Sequence, residues 1–204
     1  MNYTTLQTRI QDTLQRGDVA QAVPGWIELA EARFNRELRV RQMITRATAT
    51  LQESFIRLPS DWLETRNLEV EDDSERRPLQ LVSMQESDKI KAEASTGALF
   101  YVIHGDSIEI KPFVSEPMTL EMTYYASIPA LSSSNTTNWL LTAWPDLYLY
   151  TSLLHSAPYL DHDKRLATWE AMASKLIEDI RLQDIKAQWS GSPLRIRSAA
   201  VIDH

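Results

Sequence analysis

The chain has no cysteine among its 204 residues. That excludes disulfides, thiol nucleophiles and thiolate-bound zinc or iron–sulfur centres. It has only five glycines, and they form no Gly-x-Gly-x-x-Gly or phosphate-cradling loop, so the common nucleotide-binding motifs are missing and no cofactor is expected. Positive charge is also short. Twenty-one Lys and Arg face 28 Asp and Glu, a net charge of −7. Gripping nucleic-acid backbone needs clustered positive charge, so wholesale binding to DNA or RNA is not expected. No apolar run approaches the ~18 residues of a bilayer span, so no membrane partner is expected. The opening MNYTTLQTRIQDTLQR is polar, and without an apolar signal core the expectation is synthesis and function without export. The Gly-x-Ser-x-Gly elbow of serine hydrolases is absent. Asn135-Thr136-Thr137 fits the glycosylation pattern, but that match is empty without export.

What is present reads helical, then β-rich, then helical. Leu6, Ile10 and Leu14 recur at steps of four and predict a short amphipathic helix over 5–16, closed by Gly17-Asp18. Pro24 suits the first turn of a second helix, whose apolar stripe is Ile27, Ala30, Phe34 and Leu38. Glu28, Glu31, Asn35 and the arginines Arg33, Arg36, Arg39 and Arg41 lie on the opposite face. From about residue 45 the period becomes two. Strands are predicted over 46–51 and 55–58 around a Gln52-Glu53-Ser54 turn, and over 63–71 and 78–82 as a second pair joined by an acidic link. A short helix is predicted at 84–91, a hairpin over 99–111 across Gly105-Asp106, and a closing strand at 119–126.

The stretch NWLLTAWPDLYLYTSLLHSAPYLDHD (138–163) packs five aromatics, two prolines and two histidines together. It predicts a helix over 144–160, with Pro145 in its first turn and Leu147, Tyr150, Leu154 and Ala157 as the buried stripe. A longer helix follows over 163–188, with Leu166, Trp169, Ala173, Leu176 and Ile180 as a bundle seam. Gly191-Ser192-Pro193 then breaks the helix. The expected fold is α+β but mainly α. N- and C-terminal helices (1–44 and 131–188) form a bundle, 45–130 an inserted antiparallel β-rich subdomain, and 189–204 an extended C-terminal arm.

Few candidates for chemistry arise. His155 and His162 would share a face of one continuous helix and could offer metal ligands. Pro158 and the Asp161-His162-Asp163 link oppose that continuity, and Asp161 reads better as the N-cap of the last helix. Asp61 with Glu64, or Glu69 with Glu71, are the nearest carboxylate pairs for glycoside hydrolysis. Asp61 equally suits a turn cap, and Glu69–Glu75 a solvated hairpin end. Glu37 and Arg41 make an ordinary surface pairing, so the arginine-rich helix suggests a salt-bridged face or subunit contact. In the tail, Leu194 and Ile196 alternate with Arg195 and Arg197 next to Trp189. That pattern suits an arm that adds to a neighbour's sheet edge or groove, against the alternative of a frayed terminus.

Four segments together carry a resemblance: LAEARFNRELRVRQMITRAT (29–48), LPSDWLETRNLEV (58–70), YYASIPALSSSNTTNWLLTAWPDLYLYTSLLHSAPYL (124–160) and WSGSPLRIRS (189–198). They resemble the head-to-tail adaptor proteins of tailed bacteriophages, in particular the gatekeeper or tail tubular A proteins of short-tailed phages. The likeness covers nearly the whole chain in order, although 71–96 carries little of it and His155 departs from the small or acidic residue expected there. It implies a non-enzymatic virion protein of the neck, made in the host bacterial cytoplasm. Such a protein forms a ring, usually dodecameric, between portal and tail nozzle and lines the channel through which DNA leaves without specific binding. It implies portal docking through helical and C-terminal elements, here Trp189, Pro193, Leu194, Arg195, Ile196 and Arg197. Arg33, Arg36, Tyr148 and His155 are the expected subunit contacts, and Asp72, Asp73 and Glu75 are candidates to face the channel. The competing expectations are a virion-associated cell-wall glycosidase and a head-completion or stopper protein of a long-tailed phage.

Overall fold

The computed structural model describes residues 1–72, 75–90, 99–112, 117–160 and 164–189. Helix α1 (Tyr3–Leu14) starts where the Asn2 side chain accepts the Thr5 N–H at 2.8 Å, satisfying an orphan donor of the first turn. It ends with Gln15 in the left-handed region, φ 54°, two residues before the predicted Gly-Asp stop. Helix α2 (Val23–Glu37) carries Pro24 in its first turn. Its stripe of Ile27, Ala30, Phe34 and Leu38 is fully buried, as are Leu6 and Ile10 of α1.

Two four-stranded sheets follow. The first has the order β1-β8-β3-β4, all antiparallel: β1 (Ile44–Leu51), β8 (Met118–Ala126), β3 (Trp62–Asp72) and β4 (Glu75–Pro78). The second has the order β2-β7-β6-β5: β2 (Phe55–Arg57), β7 (Ser107–Lys111), β6 (Phe100–His104) and the two-residue β5 (Gln80–Leu81), which runs parallel to β6. The predicted 46–51/55–58 pair therefore does not form. After Leu51 the chain crosses from one sheet to the other, and likewise between β4 and β5. The closing strand, β8, is a central strand of the first sheet. Between the sheets, Leu68, Val70, Leu120, Met122, Ile108 and Ile110 turn their alternate side chains into one apolar core. The predicted hairpin is present, with Gly105 at φ 59° at the first position of its two-residue turn, where an L side chain would be strained. A short helix α3 (Met84–Ser87) is held by a capping box between Ser83 and Glu86.

The chain then returns to helix: α4 (Trp139–Ala143), α5 (Pro145–Leu154), a 3-10 turn (Ala157–Tyr159) and α6 (Arg165–Trp189). Pro145 splits the predicted 144–160 element from α4, since proline cannot donate into a preceding helix. The buried side of α5 is broader than a stripe. Leu147, Tyr148, Thr151, Ser152 and Leu153 are all buried and Tyr150 and Leu154 only partly so, because α1, α2, α4 and α6 all pack against this helix. On α6 the inner positions are Trp169, Ala173, Ile177, Ile180 and Asp184, with Leu166 and Leu176 partly buried beside them.

The expectation of a mainly α protein built as a helical bundle is overturned. Among the described residues helix accounts for about 45% and strand for about 26%, and the two sheets make a sizeable β domain. The physical reason is the second core: the sheets bury their own apolar set, separate from the one the helices enclose. Leu63 and Tyr125 of the first sheet also pack against the helical core. Arg39 joins the two regions, its Nε donating to Glu64 at 2.8 Å.

Candidate functional site

The carboxylate pairs proposed for hydrolysis are engaged elsewhere. Asp61 accepts the Tyr124 hydroxyl at 3.0 Å, and its carbonyl accepts the Ser127 N–H at 2.7 Å. It ties the start of β3 to the end of β8. Burial, helped by Asp61, pushes the Tyr124 hydroxyl up to about 12. Glu64 is paired with Arg39. Glu69 and Glu71 reach Arg76 at 4.0 and 3.7 Å, and Glu121 joins them from β8 at 3.3 Å while also pairing with Arg46. This cross-strand ladder covers the outer face of the first sheet. Among the described residues, no group of three or more His, Cys, Asp or Glu is placed to hold a metal ion. His162, Asp161 and Asp163 lie outside the described residues, so the histidine pair and the N-cap expectation do too. His155 follows the last turn of α5. Its Nε2 is buried and has no hydrogen-bond partner among the described residues. Burial, and then the charges of Arg33 and Arg36, hold its imidazole below the usual range.

Of the expected subunit contacts, Arg33 is committed within the chain. Its Nη atoms donate to Glu170 of α6 at 2.9 and 2.8 Å and its Nε to Glu37 at 2.7 Å, which raises its pKa. Arg36 is exposed and forms no ion pair among the described residues. Tyr148 is 0% exposed, so its ring offers no surface to another copy. It sits edge-on to Phe34 at 5.0 Å, the hydroxyl donating to Glu31 at 3.1 Å and accepting from Asn138 at 2.7 Å. Trp189 is 69% exposed at the end of α6. Pro193, Leu194, Arg195, Ile196 and Arg197 lie outside the described residues. Asp72 and Glu75 are register partners closing the β3–β4 hairpin, while Asp73 lies outside the described residues.

The polar centre of the helical core escaped the sequence reading. Glu31, assigned to the outer face of α2, is buried. It accepts the Leu131 N–H at 2.9 Å as well as the Tyr148 hydroxyl. One turn later, Asn35 accepts the Ile128 N–H at 2.9 Å. Asn138 caps α4 by accepting the Leu141 N–H and donates to the Pro129 carbonyl. The loop between β8 and α4 thus runs across α2 and takes its hydrogen bonds from that helix's polar side. Burial raises the Glu31 carboxyl above the usual range. The available signal was the Glu31/Asn35 pair at i,i+4 beside a loop with many backbone groups to satisfy.

The open surfaces among the described residues include a cleft, a crevice and a groove. A cleft of about 470 Å³ between α4 and α6 is lined by Trp139, Trp144, Arg41 and Asp184. An apolar crevice of about 360 Å³ opens between the sheets at Ala47, Ala49, Ile56 and Ile108. A groove of about 730 Å³ runs along the outer face of α2 beside Tyr159. Among the described residues no helix is long and apolar enough to cross a membrane.

With its candidate carboxylates engaged in ion pairs and hydrogen bonds, and open grooves beside both cores, the chain offers surfaces for assembly. Residues 1–197 match the family described as SU10 adaptor protein, and the chain belongs to that family. It is therefore a bacteriophage head-to-tail adaptor, a structural virion component of the neck that interacts with portal and tail proteins. A search of curated proteins found no match.

Proposed function

We propose that this adaptor acts without catalysis as a homo-oligomeric ring seated on the portal of a short-tailed phage. The ring joins the portal to the tail nozzle, docks through the segment 189–197, and lines part of the DNA exit channel. The observation that carries the reading is the family match, which runs to residue 197 and so takes in the whole docking segment. The net charge of −7 suits a channel through which DNA must slide, because carboxylates repel phosphate and do not hold it. Asp72, Asp73 and Glu75 are the carboxylates we propose toward the channel, Asp72 and Glu75 being the register partners that close the β3–β4 hairpin. Portal docking is tested by cosedimentation with purified portal rings, comparing the full chain with one ending at Trp189, which keeps the whole of α6. The full chain is expected to pellet with the portal and the shortened chain to remain in the supernatant. Equal pelleting of both would remove the docking segment from the proposal, and no pelleting of either would remove portal seating.

A further inference from the structure

We infer that the ring contact is a helix-in-groove joint between different faces of neighbouring copies, with the C-terminal turns of α6 lying antiparallel in the groove on α2. The inference rests on the ring reading above and names the surfaces that would build it. On α6, Leu182, Ile185 and Trp189 are 43%, 53% and 69% exposed. They lie opposite the inner positions Ile177, Ile180 and Asp184 and form an apolar stripe that none of the described residues covers. On α2, the outward positions are Gly25, Leu29 and Ala32, with Leu29 51% exposed. A Cβ built on Gly25 would meet nothing within 4 Å, so there is an open notch at that point in the groove. Tyr159, half exposed, forms one wall.

The two stripes match in spacing, size and charge. Gly25, Leu29, Ala32 and Arg36 step by 4-3-4, as do Glu178, Leu182, Ile185 and Trp189. An antiparallel register sets Trp189 over the Gly25 notch, Ile185 beside Leu29 and Leu182 over Ala32, so two of the large side chains meet a small one. Trp189 then serves the ring joint, and the portal contact falls to Pro193, Leu194, Arg195, Ile196 and Arg197. The same register places Glu178 opposite Arg36 and Lys186 opposite Glu28. Arg36, Glu28 and Lys186 are exposed and form no ion pair among the described residues. Glu178 has only an exposed contact with Arg181 at 3.7 Å. Charge complementarity therefore selects a second copy of this chain as the occupant, through interdigitation familiar from helix–groove recognition. Because groove and stripe are different patches, the contact is heterologous, and repeated with a closing rotation it generates a ring.

The absence of cysteine makes the test clean. A chain carrying Ala32→Cys and Leu182→Cys should, on mild oxidation under assembling conditions with portal rings, give a ladder of dimers, trimers and higher species on a non-reducing gel. Thr8→Cys with Leu182→Cys should give none. Gly25→Glu, at an exposed position with open space above it, should weaken assembly by at least about tenfold. Arg36→Glu should weaken it too, and adding Glu178→Arg should restore it. Rings seen by electron microscopy without a ladder, or formed equally well by Gly25→Glu, would overturn this interface and leave the ring standing. If the unmodified chain forms no ring at any concentration or on portal, the ring reading fails and the inference with it.

Discussion

The helical region and the sheet region hold themselves together differently. Between the sheets, alternation is enough: Leu68 and Val70 on β3, Ile108 and Ile110 on β7, and Leu120 and Met122 on β8 point inward. Charge stays on the outer face, in the ladder of Arg46, Glu121, Arg76, Glu69 and Glu71. The helical core instead encloses polar groups, and Glu31, Tyr148 and Asn138 are satisfied by one another and by loop backbone. A core made of apolar alternation tolerates repacking. One that contains a carboxylate constrains which loop lies where, because an unpaired buried charge is costly. The lesson is that the helical half specifies the position of the β8–α4 connection, and hence how the two regions meet.

The largest effects should come from emptying either core. Phe34→Ala should cost about 3–5 kcal/mol and Ile108→Ala about 2–5 kcal/mol. Both are fully buried. The joints at Arg39–Glu64 and Asn35–Ile128 couple the regions. Each substitution should therefore move one shared urea transition, coincident by tryptophan fluorescence and far-ultraviolet circular dichroism. Separate transitions would mean that the regions unfold independently.

A smaller effect should distinguish the polar core from the apolar one. Tyr148→Phe removes a buried hydroxyl that serves both Glu31 and Asn138, and should cost about 1–3 kcal/mol. Glu31 also gives the helical region a dependence on pH. Its carboxyl is raised on folding, chiefly by burial. Its stabilising contribution is thus complete below its unfolded pKa and is lost as pH rises through the folded value. Glu31→Gln should accordingly gain on the parent as pH rises from about 4 toward neutrality, read as the difference in urea midpoints. A difference independent of pH would show that the carboxyl titrates alike folded and unfolded.

The smallest change is expected on the outer sheet face. The Arg76 side chain is about half exposed, and Arg76→Ala should cost less than about 1 kcal/mol, less still in high salt. A loss as large as that of Tyr148→Phe would erase the distinction between the two regions.

Much of the fold was legible from periodicity. The stripes of α1 and α2, the β6–β7 hairpin at Gly105 and the long final helix follow from side-chain spacing and local turn chemistry, and these act within a few residues. Sheet membership was not legible. The 46–51 and 55–58 segments look like hairpin partners because they are adjacent, yet their pairing is decided by β8 and β7, tens of residues away. The same locality limit misplaced Glu31, whose neighbours on α2 suggest a solvent face until residues 128–131 pack over it.

The adaptor likeness was legible in four short segments, but which surfaces are free was not. Tyr148 and Arg33 looked as available to a partner as Arg36. Only the packing of α5 under α2 and the reach of Glu170 from α6 removed them, leaving Gly25, Leu29 and Ala32 open. What the sequence by itself determined was the place of most helices and strands, the exclusion of cysteine chemistry, and the family. Local steric preference and composition carry that information. The tertiary structure alone decided the division into two cores, the burial of Glu31 and the outward faces of α2 and α6, because burial depends on what a distant part of the chain places alongside.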